Sequence, residues 1–502
     1  MTAGIVRHRH RTRLEDVAAA LLAVMLAAGL LLRFYHLGTE SLWLDELWTA
    51  ATSDPSLTLG QWLNHWVLKD VHPPLYALLM REWQLAFGNS EFSLRLPSAL
   101  ASLALVASVP LVQRWTPVLR APLVLAAWLA CSVGAILYAR EARAYALLLL
   151  STTVATLLGV AIAARLQRGE PVRGAAWLLA GIVTIAEYSH YFGALAGAGL
   201  FGALLLFAAG QRRSAIPGLL LPGLVAVAVL LPWLVFHAAH VAGKTGGNFW
   251  ITNNWKSDFG GAATFLAGSP AASLIVAAAA AAVLVTRPHL LRAPDCFVPL
   301  VSMVLILLGA VAVSLHTPVI TERNLLILLP PFYVLATAVA ADVASDRHGG
   351  ARIGAHLAML LVVAGNLAFA VHQVATSHKD DWRAAAAEVA ALPGCGGAPL
   401  QVYFWPAEIY AYYLPSGYRG KLRPVALDPS PYIPPRRLRQ PAGRCPLILW
   451  SGHMVAPALV GGIARRLGFS RQRIVVRRTQ GNMLLLDRRR LQDGAATGPA
   501  RR

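Results

Sequence analysis

Two adjacent carboxylates, Asp45 and Glu46, sit among Leu and Trp in the run Ser41-Leu42-Trp43-Leu44-Asp45-Glu46-Leu47-Trp48-Thr49. Apolar surroundings raise a carboxyl pKa, and such a group can serve as general base toward a hydroxyl. The same run also suits an interfacial helix with two solvated acids. Further on, Asp70-Val71-His72-Pro73-Pro74-Leu75-Tyr76 holds an acid and an imidazole on an extended entry, because the Pro pair blocks helix before it and starts one after it. A third group, Tyr138-Ala139-Arg140-Glu141-Ala142-Arg143-Ala144-Tyr145, places three charges within four positions. Paired arginines suit phosphate oxygens, although snorkelling at a helix end also accounts for them. Last come Glu187-Tyr188-Ser189-His190-Tyr191 and Thr321-Glu322-Arg323-Asn324. Asp70, Glu187 and His190 are candidate ligands for a divalent metal, which nothing in their spacing demands.

What must position these groups is a membrane domain. The chain has 502 residues, 57% hydrophobic and 14% charged, with a mean hydropathy of +0.55. Ordinary soluble chains carry about 25% charged residues, so a soluble enzyme and a disordered protein are both excluded. Apolar runs predict about eleven spans: 17–32, 94–113, 121–138, 145–164, 175–190, 192–210, 216–236, 265–285, 296–315, 325–342 and 354–373. The first reads as a signal-anchor stopped at the interface by Arg33-Phe34-Tyr35. The segment 34–93 forms the first external loop, with Pro74–Phe87 too short to cross and therefore lying in the interface. Arg114 and Arg120, Arg165, Arg168 and Arg173, Arg212 and Arg213, Arg287 and Arg292, and Arg347 and Arg352 fill alternate loops. The positive-inside rule then puts the N-terminus in the cytoplasm and every candidate group above on the external side.

An odd number of spans leaves 376–502 outside. Strand patterns at 401–405, 446–450, 474–476 and 483–486, with helical patterns at 381–392 and 456–467, predict a small α/β domain over 376–490 and a frayed tail at 491–502. Of the net +20, this quarter of the chain contributes most: 20 basic against 7 acidic residues from Lys379 onward. Phospholipid and lipid-phosphate partners account for that balance as well as nucleic acid does. Cys131 and Cys296 fall in spans as packing residues; Cys395 and Cys445, both external, are the candidate disulfide. Gly243-Lys244-Thr245 lacks the upstream Gly of a phosphate loop, and His237-Ala-Ala-His240 lacks the Glu of a zincin helix.

The acidic pair after the first helix, His-Pro-Pro-Leu-Tyr at 72–76, Glu91 with Arg95-Leu96-Pro97-Ser98-Ala99-Leu100, and Arg-Glu-Ala-Arg-Ala-Tyr at 140–145 occur in that order. This order resembles the glycosyltransferase-C superfamily, specifically the protein O-mannosyltransferases and the related lipid A aminoarabinose transferases. The resemblance implies a polyprenyl-phosphate sugar as donor and inverting displacement on the external face of a bacterial-type inner membrane. The acceptor is a lipid, glycan or protein, and no nucleic acid takes part. It implies Asp45 as the base toward the acceptor hydroxyl, with Glu46 beside it and Glu141 near a second acidic position. Arg140, Arg143, Arg323 and His72 become donor-phosphate ligands, and Asp70, Tyr76, Tyr145 and His190 complete the substrate-binding set. His72 stands where lipid A transferases tend to have Lys. The aromatic loop Phe249, Trp250 and Trp255 is available to close over the donor, or to anchor at the interface.

A transporter or flippase for a lipid-linked sugar is the competing class. It favours internal repeats and polar groups at mid-membrane depth, whereas the sequence has no repeat and collects its charges near span ends. A non-catalytic envelope subunit would tolerate loss of Asp45.

Overall fold

The computed structural model describes residues 13–240 apart from 68, 69 and 71, then 254–346 and 349–390. Beyond these it describes 400–402, 409, 411–415, 422–424, 447–450, 466 and 483–486. Its helices are α1 (Arg13–Leu32), α2 (Leu44–Thr52), α3 (Leu75–Phe87), α4 (Glu91–Trp115), α5 (Pro122–Cys131), α6 (Val133–Ala139), α7 (Tyr145–Gln167) and α8 (Arg173–Ser189). They continue as α9 (Phe192–Gln211), α10 (Ile216–His240), α11 (Trp255–Ala267), α12 (Pro270–Thr286), α13 (Pro294–Ser314), α14 (Leu329–Ala344), α15 (Gly349–Thr376) and α16 (Trp382–Ala390).

Each of the eleven runs expected to span is largely helical, with breaks at Ser132 and at 268–269. Among the described residues, eight helices are long and apolar enough to cross a bilayer, or ten when α5–α6 and α11–α12, bent by 53° and 70°, each count as one span. The expected eleven is neither reached nor excluded by this count, which rests on length and composition alone. The run at 175–190 forms α8, whose 17 residues are at the short end of the range that can cross. In the middle of the bundle, α7 and the 324–344 span have 83% and 78% of their residues buried, against 17% for α1 and α15.

At the bend between α5 and α6, Ser132 caps α6 by accepting from Ala135 N–H, and the last carbonyls of α5 are left without helical partners. Arg33 fills that need, donating to Leu129 O at 3.1 Å and Ala130 O at 2.6 Å, with Nε on Ser102 at 2.8 Å. The sequence pattern made Arg33 an interfacial stop. It is instead fully buried, because backbone carbonyls at a helix break offer a guanidinium what water would. Gly29 allows this close packing, since a Cβ there would lie 2.3 Å from Ala130 O.

Between α1 and α4 the chain folds into α2, a helical turn at Leu59–Trp62, and α3. At 13 residues α3 spans about 20 Å, too short to cross. Leu42, Leu44, Leu47 and Ala50 pack with Tyr76, Met80 and Leu94, and also with Trp382, Ala386, Ile409 and Leu414 from beyond the last span. The start of the tail is thus part of this layer. Farther along, β1 (Leu400–Val402), β2 (Leu422–Pro424), β3 (Leu447–Trp450) and β4 (Met483–Leu486) form one sheet in the order β2-β1-β3-β4, with only β3–β4 antiparallel. The strand at 422–424 was not expected from the sequence. The expected elements at 456–467 (apart from Arg466), 474–476 and 491–502, the Cys395–Cys445 pair, and Phe249 and Trp250 lie outside the described residues.

Candidate active site

Helix α2 sorts its two acids onto different sides, since successive helical residues point about 100° apart. Glu46 turns inward and is fully buried. Its Oε1 accepts from Arg95 Nε at 2.8 Å and from Ala142 N–H at 2.9 Å, and its Oε2 from Arg95 Nη2 at 2.7 Å and Lys379 Nζ at 3.1 Å. Burial would raise this carboxyl, but Lys379 and Arg95 outweigh it and hold it down at about 2. Arg95 spends its remaining donors on the carbonyls of Leu37, Glu40 and Ser41, each at 2.9 Å. Glu46, expected beside Asp45 as a reacting acid, therefore fastens α4, the 140–144 turn and the start of the tail to α2.

Asp45 faces the other way and keeps 22% of its side chain exposed. Its Oδ2 lies 2.8 Å from Arg323 Nη1. Burial alone would favour the protonated acid, yet Arg143 and then Arg323 hold the carboxyl below the usual range. Arg323 also stands 5.9 Å from the Trp43 ring. Arg143 donates to Asp45 O at 3.3 Å and reaches Thr49 Oγ1 at 3.4 Å and His72 Nε2 at 3.5 Å. His72 in turn meets Asp70 Oδ1 through Nδ1 at 2.8 Å, and Trp48 Nε1 donates to Asp70 Oδ2 at 3.2 Å. The His190 ring lies 6.1 Å from His72 and 5.4 Å from Tyr145. Asp45, Asp70, His72, Arg143, Tyr145, His190 and Arg323 thus form one contact network, drawn from five separate stretches of sequence.

Arg323 also opens onto a cleft of about 270 Å³. Its lining includes Glu40, Arg140, Glu141, Glu322, Arg323 and Lys379, and also Leu137, Tyr138, Phe265 and Val374 from α6, α11 and α15. Glu141 Oε2 is buried with no hydrogen-bond partner. Burial pushes that carboxyl up against the pull of Lys379. Arg140 donates to Leu32 O at 3.2 Å and to Tyr35 O, so part of its guanidinium caps α1.

Two expected residues stand apart. Tyr76 is buried in the layer beneath α2, its hydroxyl 3.4 Å from Ser98 Oγ. Glu187 is buried in the last turn of α8 with Oε2 unpartnered. Among the described residues, no three of His, Cys, Asp and Glu gather so as to hold a metal ion, and the Asp70, Glu187 and His190 set is not such a site. The residue that sequence reasoning missed is Lys379, which also donates to Arg140 O at 3.1 Å. One signal was available: the chain has only five Lys, and Lys379 opens the tail directly after the last span.

No family model matches the chain, and no curated protein matches it. Solved structures do. ArnT from Cupriavidus metallidurans in the apo state superposes with a TM-score of 0.54 at 14% identity, over 94% of this chain and 98% of that one. The same protein bound to undecaprenyl phosphate gives 0.51 at 12%, over 93% and 98%. The Archaeoglobus fulgidus oligosaccharyltransferase in complex with Zn and sulfate gives 0.50 at 11%, over 80% of this chain and 62% of that chain. The chain therefore has the glycosyltransferase-C fold. The likeness to ArnT, as fold, extends over nearly the whole chain.

Proposed function

We propose that this protein is an integral-membrane glycosyltransferase that moves a sugar from a polyprenyl-phosphate donor to a hydroxyl of a lipid, glycan or protein acceptor, with inversion at the sugar carbon. The observation that carries this reading is the cleft: Arg140, Arg323 and Lys379 line it together with the acids Glu40, Glu141 and Glu322 and with side chains from three apolar helices, and Arg323 joins it to Asp45. An isoprenoid phosphate has that same division between charged head and apolar chain. Displacing phosphate from a sugar C1 needs cations for the leaving group and a proton acceptor for the incoming hydroxyl. Arg323 and Lys379 supply the first, with Arg140 contributing what its helix-capping bonds leave. Asp45 holds Arg323 in place and, in this reading, takes the proton of the acceptor hydroxyl. ArnT, whose fold the chain shares, has been solved with undecaprenyl phosphate bound.

In this reading residues 1–375 are the catalytic membrane domain, with 34–93 as its external loop. The region 376–490 is an extracytoplasmic α/β domain, and the N-terminus is cytoplasmic in a bacterial-type inner membrane. A direct test uses the full chain in nanodiscs and native mass spectrometry with undecaprenyl phosphate. Wild type should retain the lipid and Arg323→Ala should lose it at least 10-fold; equal retention by both would remove the cleft from donor binding.

A further inference from the structure

The turn after α6 uses one buried acid to present another. Glu46 Oε1 accepts from Ala142 N–H at 2.9 Å. Lys379 Nζ, itself 3.1 Å from Glu46 Oε2, donates to Arg140 O at 3.1 Å. Glu141 lies between those two pinned peptide groups, and Arg143 N–H closes the turn on Glu141 O at 2.8 Å. The backbone of Glu141 is therefore fixed from both sides, whereas its carboxyl is left over: Oε2 is buried and has no hydrogen-bond partner among the described residues. A buried oxygen without a donor is costly, and it is rare in folded chains. Glu141 lines the same cleft as Arg323 and Lys379, so it borders the space given to the donor phosphate. Trp43 lines it too, with Arg323 5.9 Å from its ring. A cleft of about 270 Å³ is room for a phosphate and the sugar it carries.

We infer that Glu141 is the residue that holds the sugar of the donor, its carboxyl bonding a sugar hydroxyl while Arg323 and Lys379 face the phosphate. This rests on the glycosyltransferase reading and assigns that reading's sugar contact. The argument is one of matching parts. What meets Glu141 Oε2 has to bring a hydrogen-bond donor. An ionised phosphate brings acceptors and a negative charge, and an isoprenoid chain brings neither donor nor acceptor. The hydroxyls of the sugar are the donors that such a lipid carries. A hydroxyl both gives and accepts, so it pairs with a carboxyl in either protonation state. The acceptor also brings a hydroxyl, but that one goes to Asp45, which reaches the cleft through Arg323. With the phosphate on the cations and a sugar hydroxyl on Glu141, the C1–O bond between them is held from both ends. Holding a reacting bond in one orientation is itself a source of rate, and the pinned turn supplies it without motion of the backbone.

The test compares two probes on the full chain in nanodiscs by native mass spectrometry: undecaprenyl phosphate, and the lipid-linked sugar pool extracted from cells lacking the protein. Wild type should retain a sugar-bearing lipid in preference to undecaprenyl phosphate. Glu141→Ala should lose that preference by about 10–100-fold while holding undecaprenyl phosphate as wild type does. Glu141→Gln keeps the size and a neutral acceptor oxygen, and should lose only about 3–10-fold. A preference unchanged in Glu141→Ala would overturn the assignment and leave the phosphate cleft standing. Loss of both lipids together would also overturn it, because a residue that merely shapes the turn would act on both. If Glu141→Ala does not accumulate, Glu141→Gln decides alone, and a preference equal to that of wild type refutes the contact. Wild type that holds undecaprenyl phosphate without any preference for the sugar-bearing lipid refutes it as well. Wild type that retains neither probe would sink the glycosyltransferase reading, and this contact with it.

Discussion

The two ends of the helix bundle use the same residue types to opposite effect. At the end away from α2, Arg120 meets Asp295 at 3.1 Å and Asp342 at 2.8 Å, and Arg287 meets Asp342 at 2.9 Å and Asp346 at 2.5 Å. Two guanidiniums and three carboxylates there tie the loop after α4 to the end of α12, the start of α13 and the end of α14. A shallow hollow of about 320 Å³ adjoins them, but its charged lining of Arg120, Arg168 and Asp295 is already paired. At the α2 end, Glu46 is closed in the same manner. Beside it, Glu141 Oε2 lacks a hydrogen-bond partner, and Arg323, paired with Asp45, also lines the cleft. Charges that satisfy one another hold loops; charges left facing a cleft are available to a substrate.

If that contrast is right, substitutions at the two ends should fail differently. The largest effect is expected from Asp45→Asn, which keeps shape but releases Arg323 and Arg143. Transfer should drop by about 10³-fold, roughly 4 kcal/mol, with expression and thermal melting in detergent unchanged. Next is Glu46→Gln, which leaves Arg95 and Lys379 buried without a counter-charge. Breaking a buried pair costs about 3–5 kcal/mol, so the protein should melt earlier or fail to accumulate, and activity should fall only with the folded fraction. The pH dependence has a definite sign. Glu46 is held at about 2 against an ordinary 4.5, so its roughly 3 kcal/mol of stabilisation is present above pH 4.5 and drains away as pH falls toward 2. Glu46→Gln should show a flatter stability profile across that window.

Arg143→Ala comes third, raising the donor KM about 10–100-fold more than the acceptor KM; equal loss of both would remove its phosphate role. The smallest effect belongs to Asp346→Asn at the closed end, which should cost under about 1 kcal/mol and leave transfer untouched. Activity lost there without loss of folded protein would break the comparison.

How much of this could be read in the sequence depends on distance along the chain. The spans were legible because apolar runs near 20 residues have few alternatives, but the expected spans 121–138 and 265–285 ran straight through the two bends. The motif order at 41–150 was enough to reach the fold. The division of labour between Asp45 and Glu46 was not, because adjacency in sequence hides the 100° turn that separates them on a helix. Nor was the pairing of Glu46 with Lys379, 333 positions away, for which no local pattern exists. Nor was it legible that Asp70, Glu187 and His190, grouped by sidedness alone, do not gather as a metal-holding set among the described residues.

The most direct measurement is mass spectrometry of polyprenyl-phosphate sugars in cells lacking this protein, complemented with wild type or with Asp45→Asn. One lipid-linked sugar should accumulate in the null strain and in the Asn variant, and return to its normal level with wild type. Full clearance by Asp45→Asn, in cells whose pool does respond to the deletion, would contradict a reaction built around that carboxylate.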